Sequence, residues 1–174
     1  MVRKTTAAFV VILTGTAMAG CSSFQPVTSG TTAPCVTLQN IVADYPNDFS
    51  HFRGSSSNFS SVTIYRAKEQ LIKGYCEIWA WGNGDSAYTC TISAPDKNVA
   101  RNLQAIATSQ LAECLGPDWQ TAKSVRERDN KPAGERIDFA TERAELPSIS
   151  LHRVENLRRH SVYLFIGSSN REPR

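Results

Sequence analysis

The segment from residue 75 to residue 92 constrains the fold of this chain more than any other part of the sequence. Residues 75–81 and 86–92 are rich in aromatic and β-branched side chains, and the Gly-Asn-Gly sequence at 82–84 is typical of a hairpin turn. A three-residue loop places Cys76 directly opposite Cys90, whereas a two-residue Asn-Gly loop shifts the register by one residue. We favour the three-residue loop because it allows a disulfide across the open end of the hairpin.

The N-terminal segment has the pattern of an export signal. Arg3 and Lys4 precede an apolar, uncharged stretch at 7–19, and the sequence Met-Ala-Gly-Cys occupies 18–21. The apolar stretch is shorter than the roughly 20 residues that a membrane-spanning helix needs. Residues 18–21 resemble the lipobox of bacterial lipoproteins, with methionine where leucine is usual. The resemblance implies cleavage before Cys21 and acylation of that cysteine, which then holds the protein on a membrane.

The residues after Cys21 are small and polar, as in a flexible tether. Residues 22–33 are rich in Ser, Thr, Gly and Pro, and twelve extended residues reach at most about 40 Å. The serines at 22 and 23 indicate, by analogy with sorting in Gram-negative bacteria, an outer-membrane lipid anchor with the domain in the periplasm. The alternative is an ordinary secretory signal, with Cys21 an incidental thiol. The expected organisation is a signal peptide at 1–20, a lipidated tether at 21–33, a single periplasmic domain at 34–167 and a frayed tail at 168–174.

The remaining cysteines fit an exported domain. The chain has five cysteines, and setting Cys21 aside leaves an even number, which is typical of a disulfide framework. If Cys76 pairs with Cys90, then Cys35 and Cys114 are left for each other. The alternatives are buried free cysteines or a zinc site. The zinc site is disfavoured because the chain contains no Cys-x-x-Cys pair and its three histidines lack ligand spacing.

Hydrophobic periodicity predicts an α+β fold, with an antiparallel sheet, two amphipathic helices on one face and the order αβββαβββ(β). Helices are expected at 34–45 and 94–115, the second with Ser93 as its N-cap and Gly116 after its end. Short connections between successive strands favour antiparallel pairing. The polar segment 55–61 is expected to be a loop, and no internal repeat is visible. Strands are predicted at 61–67, 75–81, 86–92, 119–126, 136–141, 148–154 and 160–167.

The charge balance and the absence of known motifs narrow the classes of function. The chain has 19 basic and 16 acidic residues, and two of the basic residues lie in the predicted signal peptide. The mature chain is therefore nearly neutral, which gives no electrostatic reason to expect nucleic-acid binding. The sequence contains no Gly-x-Ser-x-Gly, no His-Glu-x-x-His and no phosphate-binding glycine loop. We expect neither a cofactor nor a metal, and we expect the protein not to be an enzyme.

The predicted hairpin carries the candidate binding residues. Strand alternation places Tyr75, Trp79 and Trp81 on the face opposite Cys76, together with Glu77. Exposed tyrosine and tryptophan side chains are typical of protein-binding sites, because they act as anchors. We therefore expect the three aromatic residues to contact a protein partner. The alternative is that another helix or the C-terminal strands cover them as a second core layer.

Other polar clusters have simpler explanations. Asp44, Asp48, His51 and Ser55 resemble a hydrolase constellation, but such residues are also common in a solvated loop after a helix. The mixed charges between residues 135 and 145 are typical of a solvated strand face. A cluster of basic residues is consistent with binding to anionic lipids, with binding to an acidic partner, or with charged side chains in solvated turns. Its members are Arg153, Arg158, Arg159 and His160.

These observations predict a membrane-anchored, periplasm-facing lipoprotein that binds a protein partner. A lipid anchor with a short tether suits an envelope assembly factor, a pilotin-like helper of a secretion machine or an immunity protein. The alternative is an envelope hydrolase or an enzyme that acts on peptidoglycan, with His51 as its candidate catalytic residue.

Overall fold

Strands form most of the regular structure in this chain, and a computed structural model joins them in one eight-stranded antiparallel sheet. The structure describes residues 30–156 and 159–171. The predicted signal peptide at 1–20, the lipidation site Cys21 and the first part of the predicted tether therefore lie outside the described residues.

The order of helices and strands repeats itself along the chain. A helix followed by a four-stranded meander occurs twice, and the two meanders join through their last strands, β4 and β8. The sheet order is β1-β2-β3-β4-β8-β7-β6-β5. The elements are α1 (Pro34–Ala43), β1 (Arg53–Asn58), β2 (Val62–Ala67), β3 (Tyr75–Trp81), β4 (Ser86–Ala94), α2 (Lys97–Leu115), β5 (Gln120–Arg128), β6 (Lys131–Ala140), β7 (Ser148–Asn156) and β8 (Arg159–Gly167).

The predicted α+β class with the order αβββαβββ(β) is wrong. The described part of the chain is predominantly an antiparallel sheet, with 47% of the described residues in strands and only two α-helices. Most of the segment 55–61, predicted to be a loop, belongs to the edge strand β1, which pairs with β2. The side chains of residues 54–58 are exposed, so backbone pairing alone defines β1. The hydrophobic alternation that reveals a half-buried strand is therefore absent there.

The long helix α2 begins later than the sequence pattern suggests. The side chain of Asp96 accepts hydrogen bonds from the backbone N–H groups of Asn98 and Val99, so Asp96 and not Ser93 is the N-cap. Strand β4 continues to Ala94, because its last residues still pair with β8. Among the described residues, no helix has both the length and the apolar character required to cross a membrane.

The main core lies between the two helices and one face of the sheet. Leu38 and Ile41 from α1 and Leu111 from α2 are buried against sheet residues such as Ile78 and Leu164. Full burial of one side chain of this kind stabilises the fold by about 1.5–3 kcal/mol. The other face of the sheet carries neither α-helix, and we refer to it as the helix-free face.

Both predicted disulfides are present. Cys76 and Cys90 lie opposite each other in the β3–β4 ladder and are bonded. The backbone N–H of Trp81 donates to the carbonyl of Asp85, which confirms the three-residue loop and the predicted register. The second disulfide joins Cys35, near the start of α1, to Cys114 at the end of α2.

The residues that flank the predicted domain are bound to it. The backbone N–H of Gly30 donates to the carbonyl of Leu71. In the segment predicted to be a frayed tail, the Ser168 hydroxyl donates to Asp85, and the Arg171 guanidinium donates to the same carboxylate at 2.9 Å. Residues 168–171 are therefore held against the β3–β4 hairpin, and 172–174 lie outside the described residues.

Candidate functional site

Side chains of the helix-free face form rows that run across the sheet. The strand register defines these rows, because directly opposite residues of antiparallel strands project to the same side. The first row is Tyr75, Thr91, Tyr163, His152 and Arg136; the second is Arg66, Glu77, Thr89, Phe165, Ser150 and Asp138; the third is Ile64, Trp79, Ala87, Gly167 and Ser148.

The three aromatic residues predicted from the sequence lie on this face. The side chain of Tyr75 is 52% exposed, and Trp79 and Trp81 are half-buried, with ring centroids 6.0 Å apart. We refer to Tyr75, Trp79 and Trp81 as the aromatic patch. No α-helix of the described chain covers the patch, and both tryptophans remain partly accessible.

Glu77 orients two residues of the aromatic patch, Tyr75 and Trp79. The indole N–H of Trp79 donates to a Glu77 carboxylate oxygen at 3.0 Å. A hydrogen bond between the Tyr75 side chain and the same carboxylate raises the pKa of Tyr75, because the negative charge opposes ionisation of the phenol. The Glu77 carboxylate therefore orients the side chains of both Tyr75 and Trp79. At the other end of the patch, the Arg171 guanidinium lies 5.0 Å from the ring centroid of Trp81, within the range of a cation–π contact.

The centre of the helix-free face contains a buried polar cluster that sequence reasoning missed. His152 and Ser150 are fully buried, and the Ser150 hydroxyl lies 2.9 Å from His152 Nε2. The ring of Tyr163 packs edge-on against the imidazole, with centroids 6.1 Å apart. Burial, together with the charges of Arg136 and Arg126, lowers the pKa of His152 to about 4, so the imidazole is neutral at pH 7.

Two of the mixed charges predicted to lie on a solvated strand face belong to the same cluster. Arg136 and Asp138 are half-buried and form an ion pair, with Arg136 Nε 2.7 Å from Asp138 Oδ1. Their alternation with Ile137 and Phe139, which face the core, is the sequence signal that indicates one polar face along β6. The alternation along β6 does not predict that His152 lies beside Arg136, because that contact depends on how β6 and β7 are paired.

The hydrolase-like constellation is only partly assembled. His51 Nδ1 lies 2.6 Å from Asp44 Oδ1, and the backbone N–H of His51 also donates to Asp44. Asp48 instead accepts a hydrogen bond from the Ser86 hydroxyl. In the described part of the chain, no hydrogen bond joins Ser55 to His51, and Ser55 lies exposed on β1. The contacts of Asp44 brace the turns that follow α1, and they assemble no nucleophile beside the imidazole.

We expect the stability of the domain to fall in acid partly because of Asp44. Burial raises the pKa of this carboxyl, but hydrogen bonds from His51 and Asn47 outweigh that effect and hold the pKa below its ordinary value of about 3.9. A lowered folded-state pKa stabilises the fold above the unfolded-state pKa, and this stabilisation is lost as the pH falls through the folded-state value. Urea unfolding between pH 5 and pH 3 should therefore show a shallower loss of stability in Asp44→Asn than in the unmodified protein.

Asp118→Asn is the matched control for this pH experiment, because it removes a carboxylate that is exposed in the connection after α2. Its pH profile should follow that of the unmodified protein. Parallel profiles for Asp44→Asn and the unmodified protein would contradict the role assigned to Asp44.

The predicted basic cluster does not form one surface. Arg153 is buried beneath α2, where its Nε donates to Gln104 at 3.1 Å and its guanidinium pairs with Glu155. Arg159 is exposed, His160 is half-buried, and Arg158 lies outside the described residues. Arg153 therefore belongs to the helix–sheet interface.

No metal centre is found among the described residues, in which no group of three or more His, Cys, Asp or Glu side chains is placed to hold an ion. All four cysteines of the domain are in disulfides, which removes them as zinc ligands. The chain matches no protein-family model, and comparisons with curated proteins and with solved structures find no significant match.

Proposed function

We propose that this chain is a lipid-anchored protein of the bacterial cell envelope that binds a protein partner through its aromatic patch. The observation that carries the proposal is the position of Tyr75, Trp79 and Trp81 on the helix-free face, where they are partly accessible. Glu77 orients Tyr75 and Trp79, and Trp81 packs beside Trp79. Acylation of Cys21, as the lipobox-like sequence implies, places the domain within a short tether length of the membrane. The two disulfides support an oxidising compartment such as the periplasm.

The geometry of the patch suits a binding surface. Tyrosine and tryptophan dominate the energetics of protein interfaces, because each buries a large area with few rotatable bonds. The hydrogen bonds to Glu77 restrict Tyr75 and Trp79 before a partner arrives, so less side-chain entropy is lost on association. Arg66 lies opposite Glu77 on the neighbouring strand β2, and Asp85 lies in the turn between β3 and β4; together they provide a charged rim. An envelope assembly factor, a pilotin-like helper and an immunity protein would each use such a surface.

The proposal can be tested by photo-crosslinking in intact cells. A photo-reactive amino acid replaces Tyr75 in the full-length lipidated protein, and adducts are identified by mass spectrometry. We expect one recurrent protein adduct. In the same background, the double substitution Trp79→Ala and Trp81→Ala should lower its yield by about tenfold or more, since loss of an interface anchor costs about 2 kcal/mol.

Ile106 provides the matched control. It is an exposed apolar residue of α2, 41% accessible and on the opposite side of the sheet from the patch. A photo-reactive group at Ile106 should not give the same adduct, and Ile106→Ala should leave the adduct at position 75 unchanged. An adduct at position 75 that persists after both tryptophans are replaced, in a protein whose circular dichroism is unaltered, shows that Trp79 and Trp81 do not anchor the partner. The absence of any protein adduct at position 75 contradicts the patch as the binding site.

A further inference from the structure

Arg126 on β5 is half-buried and forms no ion pair with the described residues. It lies at an irregularity of the β5–β6 ladder, between Val125 and Glu127. Two of its guanidinium nitrogens, Nε and Nη1, are buried and have no hydrogen-bond partner in the described part of the chain. A guanidinium remains protonated in proteins and can only donate hydrogen bonds. Burying it without an acceptor is costly, because the lost hydration is not replaced.

One ring nitrogen of His152 is also buried without a hydrogen-bond partner in the described part of the chain. Its side chain is fully buried, Nε2 is matched by the Ser150 hydroxyl, and Nδ1 has no hydrogen-bond partner among the described residues. In the strand register, Ser124 of β5 lies opposite Arg136, and Arg136 lies opposite His152. Arg126 is two residues from Ser124 on β5, and its charge contributes to lowering the pKa of His152. Two unsatisfied groups from β5 and β7 therefore lie in one cluster on the helix-free face.

Asp138, the acidic member of the cluster, does not neutralise Arg126. Asp138 is engaged by Arg136, with the Nε and Nη2 atoms 2.7 and 2.6 Å from the same carboxylate oxygen. No ion pair joins Arg126 to an acidic side chain within residues 30–156 and 159–171. The cluster thus holds one positive charge more than it holds negative charges.

We propose that Arg126 and His152 bind the oxyanion of a ligand, a carboxylate or a phosphate group. The oxyanion accepts a charge-assisted hydrogen bond from one of the buried, unsatisfied N–H groups of the Arg126 guanidinium. It also accepts one from His152 Nδ1–H, a tautomer that the Ser150 hydroxyl supports by donating to Nε2. The bound anion supplies the negative charge and the acceptors that this part of the face lacks. The inference is independent of the aromatic patch and goes beyond the proposed function.

Nuclear magnetic resonance of the full-length lipidated protein in neutral detergent tests the site directly. The protein is titrated separately with sodium phosphate and sodium acetate, with chloride keeping the ionic strength constant. We expect the Nε–H signal of Arg126 and the imidazole signals of His152 to shift saturably with at least one anion. The anion with the lower dissociation constant identifies the ligand group as phosphate or carboxylate. Arg128, exposed on the same strand beside Asp129, should not shift saturably.

The charge-matched variants Arg126→Gln and Arg128→Gln complete the test. Arg126→Gln should weaken anion binding at least tenfold, whereas Arg128→Gln should bind like the unmodified protein. If Arg126→Gln does not fold, Arg126→Lys is used, which keeps the charge, loses the planar fork and should also bind more weakly. Linear shifts of all arginine signals, or unaltered binding in the folded Arg126 variant, overturn the proposal.

Discussion

Replacing both Cys35 and Cys114 by alanine is expected to lower the free energy of unfolding by about 4 kcal/mol. The two cysteines are 79 residues apart in the sequence, and their disulfide joins the start of α1 to the end of α2. In the chain-entropy account, a bridge that closes a long loop removes many conformations from the unfolded chain. The expected loss is a large share of the roughly 5–15 kcal/mol that stabilises a typical domain.

The second disulfide provides the comparison. Cys76 and Cys90 are separated by 14 residues, so the same account gives a smaller loss, about 3 kcal/mol, for their replacement by alanine. Both double variants lose the same atoms, which makes their difference a test of loop length. Urea unfolding of the two oxidised variants at one pH provides both values. A larger loss for the Cys76 and Cys90 variant would show that packing in the hairpin, and not loop closure, decides the contribution.

Arg153→Ala is expected to cost about 2 kcal/mol of stability, because it leaves a buried hydrogen-bond acceptor without its donor and removes one cation from an ionic network. Arg153 on β7 donates to Gln104 on α2 and pairs with Glu155, and its Nη2 lies 3.9 Å from Glu135. The amide of Gln104 also donates to the Glu135 carbonyl at 3.3 Å. Without Arg153, the buried Gln104 oxygen loses its donor. The two half-buried carboxylates lose a shared counter-ion, but each keeps a lysine partner.

Arg159→Ala is the control for this substitution. Arg159 is exposed at the start of β8, so its removal should change stability by no more than about 0.5 kcal/mol. Thermal and urea unfolding of the two variants measure the difference. Equal stability of Arg153→Ala and Arg159→Ala would mean that the network does not stabilise the contact between α2 and the sheet.

The parts of the fold that could be predicted are those that local chemistry determines. The glycine-rich turn after Trp81 sets the hairpin register, and that register alone places Cys76 opposite Cys90. The apolar spacing of α2 identifies a long helix, although its N-cap is three residues later than expected. Strand β1 was not predicted because its serine side chains are exposed to solvent on both faces of the strand. The class was wrong because a missed strand and underestimated strand lengths made the sheet too small.

The candidate site also has one part that local sequence predicts and one part that depends on the order of the strands. Alternation within β3 places Tyr75, Trp79 and Trp81 on one face without knowledge of any neighbour. The cluster around His152 needs three strands in a defined order, since β7 lies between β6 and β8 and β8 returns to β4. The sequence contains no local signal for that order. Arg126 is harder still to predict, because the irregularity of the β5–β6 ladder interrupts the alternation at its position.

The position of the Cys35–Cys114 disulfide also determines how the domain responds to mechanical load. In a lipid-anchored protein, tension between the membrane and a bound partner enters the domain at its N-terminal end. Cys35 is the second residue of α1, so the force acts on the disulfide bond before it can separate that helix from the sheet. The force then passes to the end of α2, which packs across β4, β8 and β7 where the two meanders join. In the lipid-anchored state that we propose, we therefore expect the central strands to carry the force and the edge strand β1 to lie outside its path.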